Sequence, residues 1–118
     1  MRVLIVDDDS GIREILRLML SEYTVLEASN GDEAVKHYKN FKPDVVIMDA
    51  VMPVMDGVAA TRRILEIDPN AKVVALTAYY TTKAREMLEA GSVEALEKPF
   101  SKKIILEIVR KYCRYSNY

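Results

Sequence analysis

Short, unbroken apolar runs alternate along the chain with longer stretches in which apolar residues return every three or four positions. The runs are Val3-Leu4-Ile5-Val6, Thr24-Val25-Leu26-Glu27-Ala28, Val45-Val46-Ile47-Met48, Val73-Val74-Ala75-Leu76 and a weaker Val93-Glu94-Ala95-Leu96. Several are rich in β-branched residues and apolar at consecutive positions, the pattern of strands covered on both faces. The stretches between them have helical spacing. The first carries Ile12, Leu16, Met19 and Leu20, with Ile15 beside them. The second follows Asn30-Gly31-Asp32 and carries Ala34, Val35 and Tyr38; the third follows Asp56-Gly57 and carries Ala60, Ile64 and Ile67. A fourth is predicted over 81–90, closed by Gly91, and a fifth starts near Ser101 with Ile104, Ile105, Ile108, Val109 and Tyr112 on its apolar face.

Five strands alternating with five helices imply βαβ units: an α/β, doubly wound (βα)5 arrangement with helices on both faces of a parallel sheet. The flavodoxin-like strand order 2-1-3-4-5 is the natural candidate. Nothing marks a second domain, a repeat or a low-complexity linker, so residues 1–118 read as a single domain. The few residues after Tyr112 are expected to fray.

Composition narrows the class. Half of the 118 residues are apolar and 30% are charged, enough for one real core. The formal net charge of -1 gives no global attraction to nucleic acid or to acidic membranes. A single cysteine, Cys113, excludes an intrachain disulfide. The apolar run at the N-terminus is too short for a signal peptide or a membrane span. These features predict a cytoplasmic protein, and the start at Met1 favours a stand-alone chain over an excised domain.

The candidate chemistry lies at the strand ends. In an open parallel sheet, ligands bind beyond the carboxyl ends of the strands where the strand order reverses, here between the first and third strands. The first strand runs into Asp7-Asp8-Asp9 and the third into Asp49. One strand-end aspartate is more often a loop or helix cap. A cluster at the switch point is different, because like charges raise each other's pKa unless a cation compensates them. Oxygen donors with few carboxylates suit Mg2+, which usually binds alongside phosphate. Thr77 brings a hydroxyl to the same edge and Lys98 a mobile cation. Phosphoryl transfer needs an in-line nucleophile, charge neutralisation and positioning. Asp49 is the candidate nucleophile, forming an acyl phosphate, with Lys98, Thr77 and the metal on the phosphoryl oxygens.

Four segments in order, Val6-Asp7-Asp8-Asp9, Met48-Asp49-Ala50-Val51-Met52-Pro53-Val54-Met55-Asp56-Gly57, Leu76-Thr77-Ala78 and Lys98-Pro99-Phe100, give the chain a resemblance to response-regulator receiver domains, of the chemotaxis-regulator kind, over essentially its whole length. The resemblance implies a phosphorylation-controlled switch of two-component signal transduction. Asp49 is then the phosphoacceptor, fed by a sensor histidine kinase. Asp8 binds Mg2+ directly, Asp7 binds it through water, and the Val51 backbone carbonyl is a further ligand. Thr77 and Lys98 bind the phosphoryl group. The Lys98-Pro99 peptide is implied to be cis, and Gly57 to supply backbone freedom in the turn before the third helix. The face of the fourth and fifth helices and fifth strand is implied to meet a downstream protein of unknown identity. A monomer is implied, with dimerisation on phosphorylation left open. The chemistry is self-phosphorylation and slow self-dephosphorylation rather than dedicated enzyme turnover.

Departures from the family pattern matter. The family often places an aromatic residue three positions before the lysine; here it is Ala95, which weakens the usual coupling between that ring and the threonine. Tyr79 and Tyr80 read as loop aromatics rather than substitutes. In the family the positions two residues beyond the aspartate and the threonine flank the path of hydrolytic water; here they are Val51 and Tyr79, neither of which provides a carboxylate or amide to orient it, which predicts slow self-dephosphorylation. Glu97 is read as an exposed acid that pairs with a neighbouring base. His37, the single histidine, reads as solvent-facing, Cys113 as filler of the last helix, and the six methionines as core. The basic residues of the fifth helix read as a solvated face.

Other functions stay in view. An Asp-nucleophile, Mg2+-dependent phosphohydrolase of the haloacid dehalogenase type shares the acids, but Gly11 stands where it would need Thr or Val, and no cap domain fits. A nucleotide-binding flavodoxin-like module needs a phosphate loop where this chain has three acids. A degenerate receiver acting only as a binding module would be expected to lack some of the matched positions.

Overall fold

The computed structural model describes residues 1–116, with side chains as far as Cys113. Strands and helices alternate: β1 (Arg2–Val6), α1 (Ser10–Met19), β2 (Thr24–Ala28), α2 (Gly31–Phe41), β3 (Val45–Met48), α3 (Gly57–Ile67), β4 (Val73–Thr77), α4 (Tyr80–Ala90), β5 (Glu94–Glu97) and α5 (Lys102–Ser116). The strands form one parallel sheet in the order β2-β1-β3-β4-β5, as the alternation predicts. None of the described helices is long and apolar enough to cross a membrane.

Because consecutive strand residues point to opposite faces, the central strands feed two cores. Leu4, Val6, Val46, Met48, Val73 and Ala75 pack with α2, α3 and α4. Val3, Ile5, Val45, Ile47, Val74 and Leu76 pack on the other face with Leu16, Leu20, Ile105 and Val109 of the α1–α5 side. This is why β1, β3 and β4 read as continuous apolar runs.

Polar residues set the helix starts. Asp9 caps α1 by accepting from the Gly11 and Ile12 amides, Asn30 caps α2 through the Glu33 amide, and Asp56 caps α3 through the Ala59 amide. In return, the Glu33 carboxylate accepts from the Ser29 amide and hydroxyl, which holds its pKa below the usual carboxylate range. At the other end of α4, Gly91 takes φ 118, the left-handed cap its lack of Cβ allows.

Several sequence expectations shift in detail. The fifth strand lies one residue later than the apolar run suggests, and its α5-facing acid, Glu94, rather than Glu97, takes a base: Lys111 Nζ lies 3.1 Å away, and the Tyr112 hydroxyl also donates to it. His37 is half-buried rather than solvent-facing, within electrostatic reach of Glu33 one turn earlier. Ile67 and Ile104, assigned to apolar helix faces, are exposed. Cys113 is buried, and its thiol is pushed up to about 11 by burial, consistent with a filler. The α5 helix extends past Tyr112 to Ser116; the rest of the tail, 117–118, lies outside the described residues.

Candidate functional site

The site is built where β1 and β3 end side by side. The Asp49 amide donates to the Val6 carbonyl at 2.9 Å, and the Asp7 amide to the Ala28 carbonyl at 3.1 Å, so each acid sits one residue past its strand on a backbone still tied to the neighbouring strand. Asp7 and Asp49 are buried at 2% and 6% exposure, whereas Asp8 faces solvent. One carboxylate oxygen from each of Asp7, Asp8 and Asp49 lies within 4.8 Å of the others. Asp9, the third acid of the run, turns away to cap α1 while its amide holds Asp7 Oδ1 at 2.9 Å.

Lys98 reaches in from beyond β5. Its Nζ lies 2.7 Å from Asp7 Oδ2 and 3.7 Å from Asp49 Oδ2. Its amide donates to the Thr77 carbonyl at 2.9 Å, and the Lys98-Pro99 peptide is cis, as the resemblance implies. Burial opposes the ammonium, but the Asp7 hydrogen bond and the charges of Asp49 and Asp7 outweigh it and raise its pKa. Asp49 is pushed up to about 6, first by burial and then by the Asp7 charge; Lys98 and a hydrogen bond from the Val51 amide only partly offset this. A carboxylate whose pKa is raised by burial and a neighbouring acid is one whose charged form a further cation would stabilise.

Thr77 is fully buried at the end of β4, and its Oγ1 accepts from the Tyr79 amide at 2.9 Å. The α4 helix begins there without a side-chain cap, Tyr79 being the N-cap residue. Tyr79 and Tyr80 are both exposed, but only Tyr79 precedes α4; Tyr80, read from the sequence as a loop aromatic, is its first residue, while the partly buried Ala95 packs against the core on the α2–α4 side. Val51 and Tyr79 are 40% and 58% exposed.

The turn from β3 into α3 corrects one expectation. Gly57 does not occupy a left-handed conformation; the residue that does is Val54, at φ 70. Gly57 is required by closeness: a Cβ there would stand 1.9 Å from the Asp49 carbonyl oxygen and 2.9 Å from Ala50 Cα. The Gly57 amide donates to the Ala50 carbonyl, so α3 starts against the backbone that carries Asp49.

Sequence reasoning passed over Arg13. From α1 its Nη1 donates to the Asp7 carbonyl at 2.6 Å, and its Nε lies 3.0 Å from Glu27 Oε1. A base one turn into the helix that follows three acids was the available signal.

A doubly wound parallel sheet with three carboxylates and a lysine gathered at its switch point defines an α/β protein with its candidate ligand site at the carboxyl ends of the strands. Comparison with known proteins makes this specific: residues 3–110 match the response regulator receiver domain, and the chain belongs to that family of two-component signalling domains. It is 41% identical over 114 residues to the chemotaxis protein CheY of Thermotoga maritima, covering 93% of this chain and 95% of that one. The CheX–CheY–BeF3–Mg complex from Borrelia burgdorferi contains a chain superposing with a TM-score of 0.87 at 31% identity, covering 94% of this chain and 87% of that one. The receiver domain of a Pseudomonas aeruginosa sensor histidine kinase, with a magnesium ion coordinated in its active site cleft, gives 0.88 at 30% identity, with coverages of 95% and 96%.

Proposed function

We propose that this chain acts as a single receiver unit of a two-component system, accepting a phosphoryl group on Asp49 from a sensor histidine kinase. The observation that carries the reading is the juxtaposition of the three carboxylates with Lys98 around the buried Asp49. The donor set fits Mg2+: oxygen only, few carboxylates, and one side open to water through Asp8. Asp8 would ligate directly, Asp7 through water, together with Asp49 and the Val51 carbonyl. The related receiver domain with magnesium in its cleft supports the same choice. When bound, the ion neutralises developing charge on the phosphoryl oxygens.

The remaining steps belong to the chain's own groups. An Asp49 carboxylate oxygen attacks phosphorus in line with the P–N bond of a phosphohistidine; the P–O bond forms as the P–N bond breaks, and the imidazole leaves with its electron pair. Lys98, already 3.7 Å from Asp49, leaves Asp7 to pair with a phosphoryl oxygen. The Thr77 hydroxyl, which accepts from the Tyr79 amide, donates its own hydrogen to another. Drawing Thr77 toward the phosphoryl group pulls on that hydrogen bond at the start of α4, and it shifts the α4–β5–α5 face between two populations with different partner affinities. With Ala95 in place of an aromatic residue, this loop carries the coupling rather than a turning ring. The protein modifies itself, with the phosphohistidine or acetyl phosphate as donor, and is not a dedicated turnover enzyme.

Intact-protein mass after incubation with acetyl phosphate and Mg2+ tests the reading. One added phosphoryl group is expected, absent with EDTA and in Asp49→Asn. Failure of the wild-type protein to gain it from acetyl phosphate or from any histidine kinase would leave a binding module.

A further inference from the structure

We infer that Arg13 is the positioning residue of the metal-binding turn, setting the relative direction of the Asp7 and Asp8 carboxylates by holding the peptide between them; this rests on the reading of those acids as Mg2+ ligands. Beyond Val6 the regular pairing of β1 stops, and the carbonyl of Asp7 is held by a side chain instead. That carbonyl belongs to the Asp7–Asp8 peptide, which is planar. Fixing its oxygen therefore fixes the backbone rotation on either side, and with it the directions in which the two acidic side chains leave the chain. Mg2+ tolerates little error, demanding near-octahedral oxygens at about 2.0–2.1 Å.

The anchor is itself anchored. Glu27, paired in register with Ile5 of β1, takes Arg13 Nε on Oε1 and Arg17 Nη1 on Oε2, at 3.0 and 3.4 Å. The guanidinium is planar and rigid, so engaging Glu27 with one edge aims another N–H at the Asp7 carbonyl. Arg13 is largely covered, its side chain 18% exposed. It touches neither carboxylate of the pair: its bond is to the backbone, and its charge is matched by Glu27.

The sign of the effect separates positioning from charge. Removing a nearby cation, by electrostatics alone, tightens Mg2+ binding. Removing a group that orients the ligands weakens it, typically ~10-fold or more for the outer shell of a metal site. Mg2+ titrations of the full chain by calorimetry, with amide NMR shifts at Asp8 as a second readout, decide between them. Arg13→Met is expected to raise the Mg2+ Kd about 10-fold, Arg13→Lys to recover part of the loss through one N–H to the carbonyl, and Glu27→Gln to weaken binding by less than Arg13→Met. Adding Glu27→Gln to Arg13→Met should weaken it no further, because Glu27 acts through Arg13. Thermal unfolding of each variant confirms that titrations are read on folded protein; should Arg13→Met not fold, Arg13→Lys and Glu27→Gln carry the test. An unchanged or lower Kd in Arg13→Met, a further loss in the double variant, or unchanged Kd values in both fallback variants would overturn the inference. A wild-type protein that binds no Mg2+ would overturn the metal reading itself, a result distinct from wild-type binding that is indifferent to Arg13.

Discussion

Val54 is 84% exposed and β-branched, yet it sits at φ 70. A side chain branched at Cβ crowds the carbonyl in that region, whereas Asn tolerates it. Val54→Asn is expected to raise stability by about 1 kcal/mol, measured by urea unfolding. Thr61 offers a second relief: its Oγ1 is fully buried with no hydrogen-bond partner among the described residues. Thr61→Val removes the unpaired hydroxyl at nearly constant volume and is expected to stabilise by roughly 1 kcal/mol in the same assay. At the site, Val51 and Tyr79 supply no carboxylate or amide to orient water over the acyl phosphate proposed at Asp49. The pair Val51→Asn and Tyr79→Glu should speed loss of the phosphoryl group, followed by intact mass after removal of acetyl phosphate; an unchanged or slower decay sinks that account.

At the scale of elements, the critical contact is the start of α3 against the β3 exit. Gly57→Ala places a methyl group against the Asp49 backbone, which cannot yield without moving Asp49. Destabilisation of about 3 kcal/mol or more is expected, and thermal unfolding with and without Mg2+ reads both the fold and the site. This contact also marks where the sequence stopped being legible. The Asp56-Gly57 pair announced a turn, but only coordinates distinguish a glycine needed for φ from one needed for proximity. The strands β1, β3 and β4 were legible because burial on both faces leaves no polar position to confuse the pattern. At β5 the apolar run and the paired segment differ by one residue, since the edge strand carries Glu at both ends and Val93 lies half outside. The acids and lysine of the site could be placed because the switch point puts strand ends together whatever the side chains do. Arg13 was harder to place: a base one turn after three acids hints at it, but its partner at the site is a backbone carbonyl, which leaves no mark in the sequence.

For the molecule as a whole, the site is a stability cost that the fold carries. Asp49 holds its proton up to about pH 6 in the folded state against an ordinary value of 3.8. The folded chain therefore binds more protons than the unfolded chain between those values, and this group's contribution falls as pH rises through the window. Above it the ionised carboxylate remains a penalty. In EDTA, Asp49→Asn is expected to be more stable than wild type at pH 7.5, by on the order of 1–2 kcal/mol, with the gap closing toward pH 4. Urea unfolding at both pH values checks it; equal stability at pH 7.5 contradicts it. The lowered Glu33 and Glu94 give the opposite trend in both proteins, stability lost as pH falls through their depressed values, and so cancel in the comparison.

The sheet also has two open margins, β2 and β5, and β5 is four residues long with Glu94 and Glu97 at its ends. A bare strand margin invites a strand from another molecule, and short length with repeated like charge discourages it. Stacking copies of this chain along β5 would set the exposed Glu97 carboxylates against each other, Glu94 being paired with Lys111. The least apolar strand in the sheet thereby becomes a colloidal safeguard, keeping a crowded population of the protein from zipping into fibres.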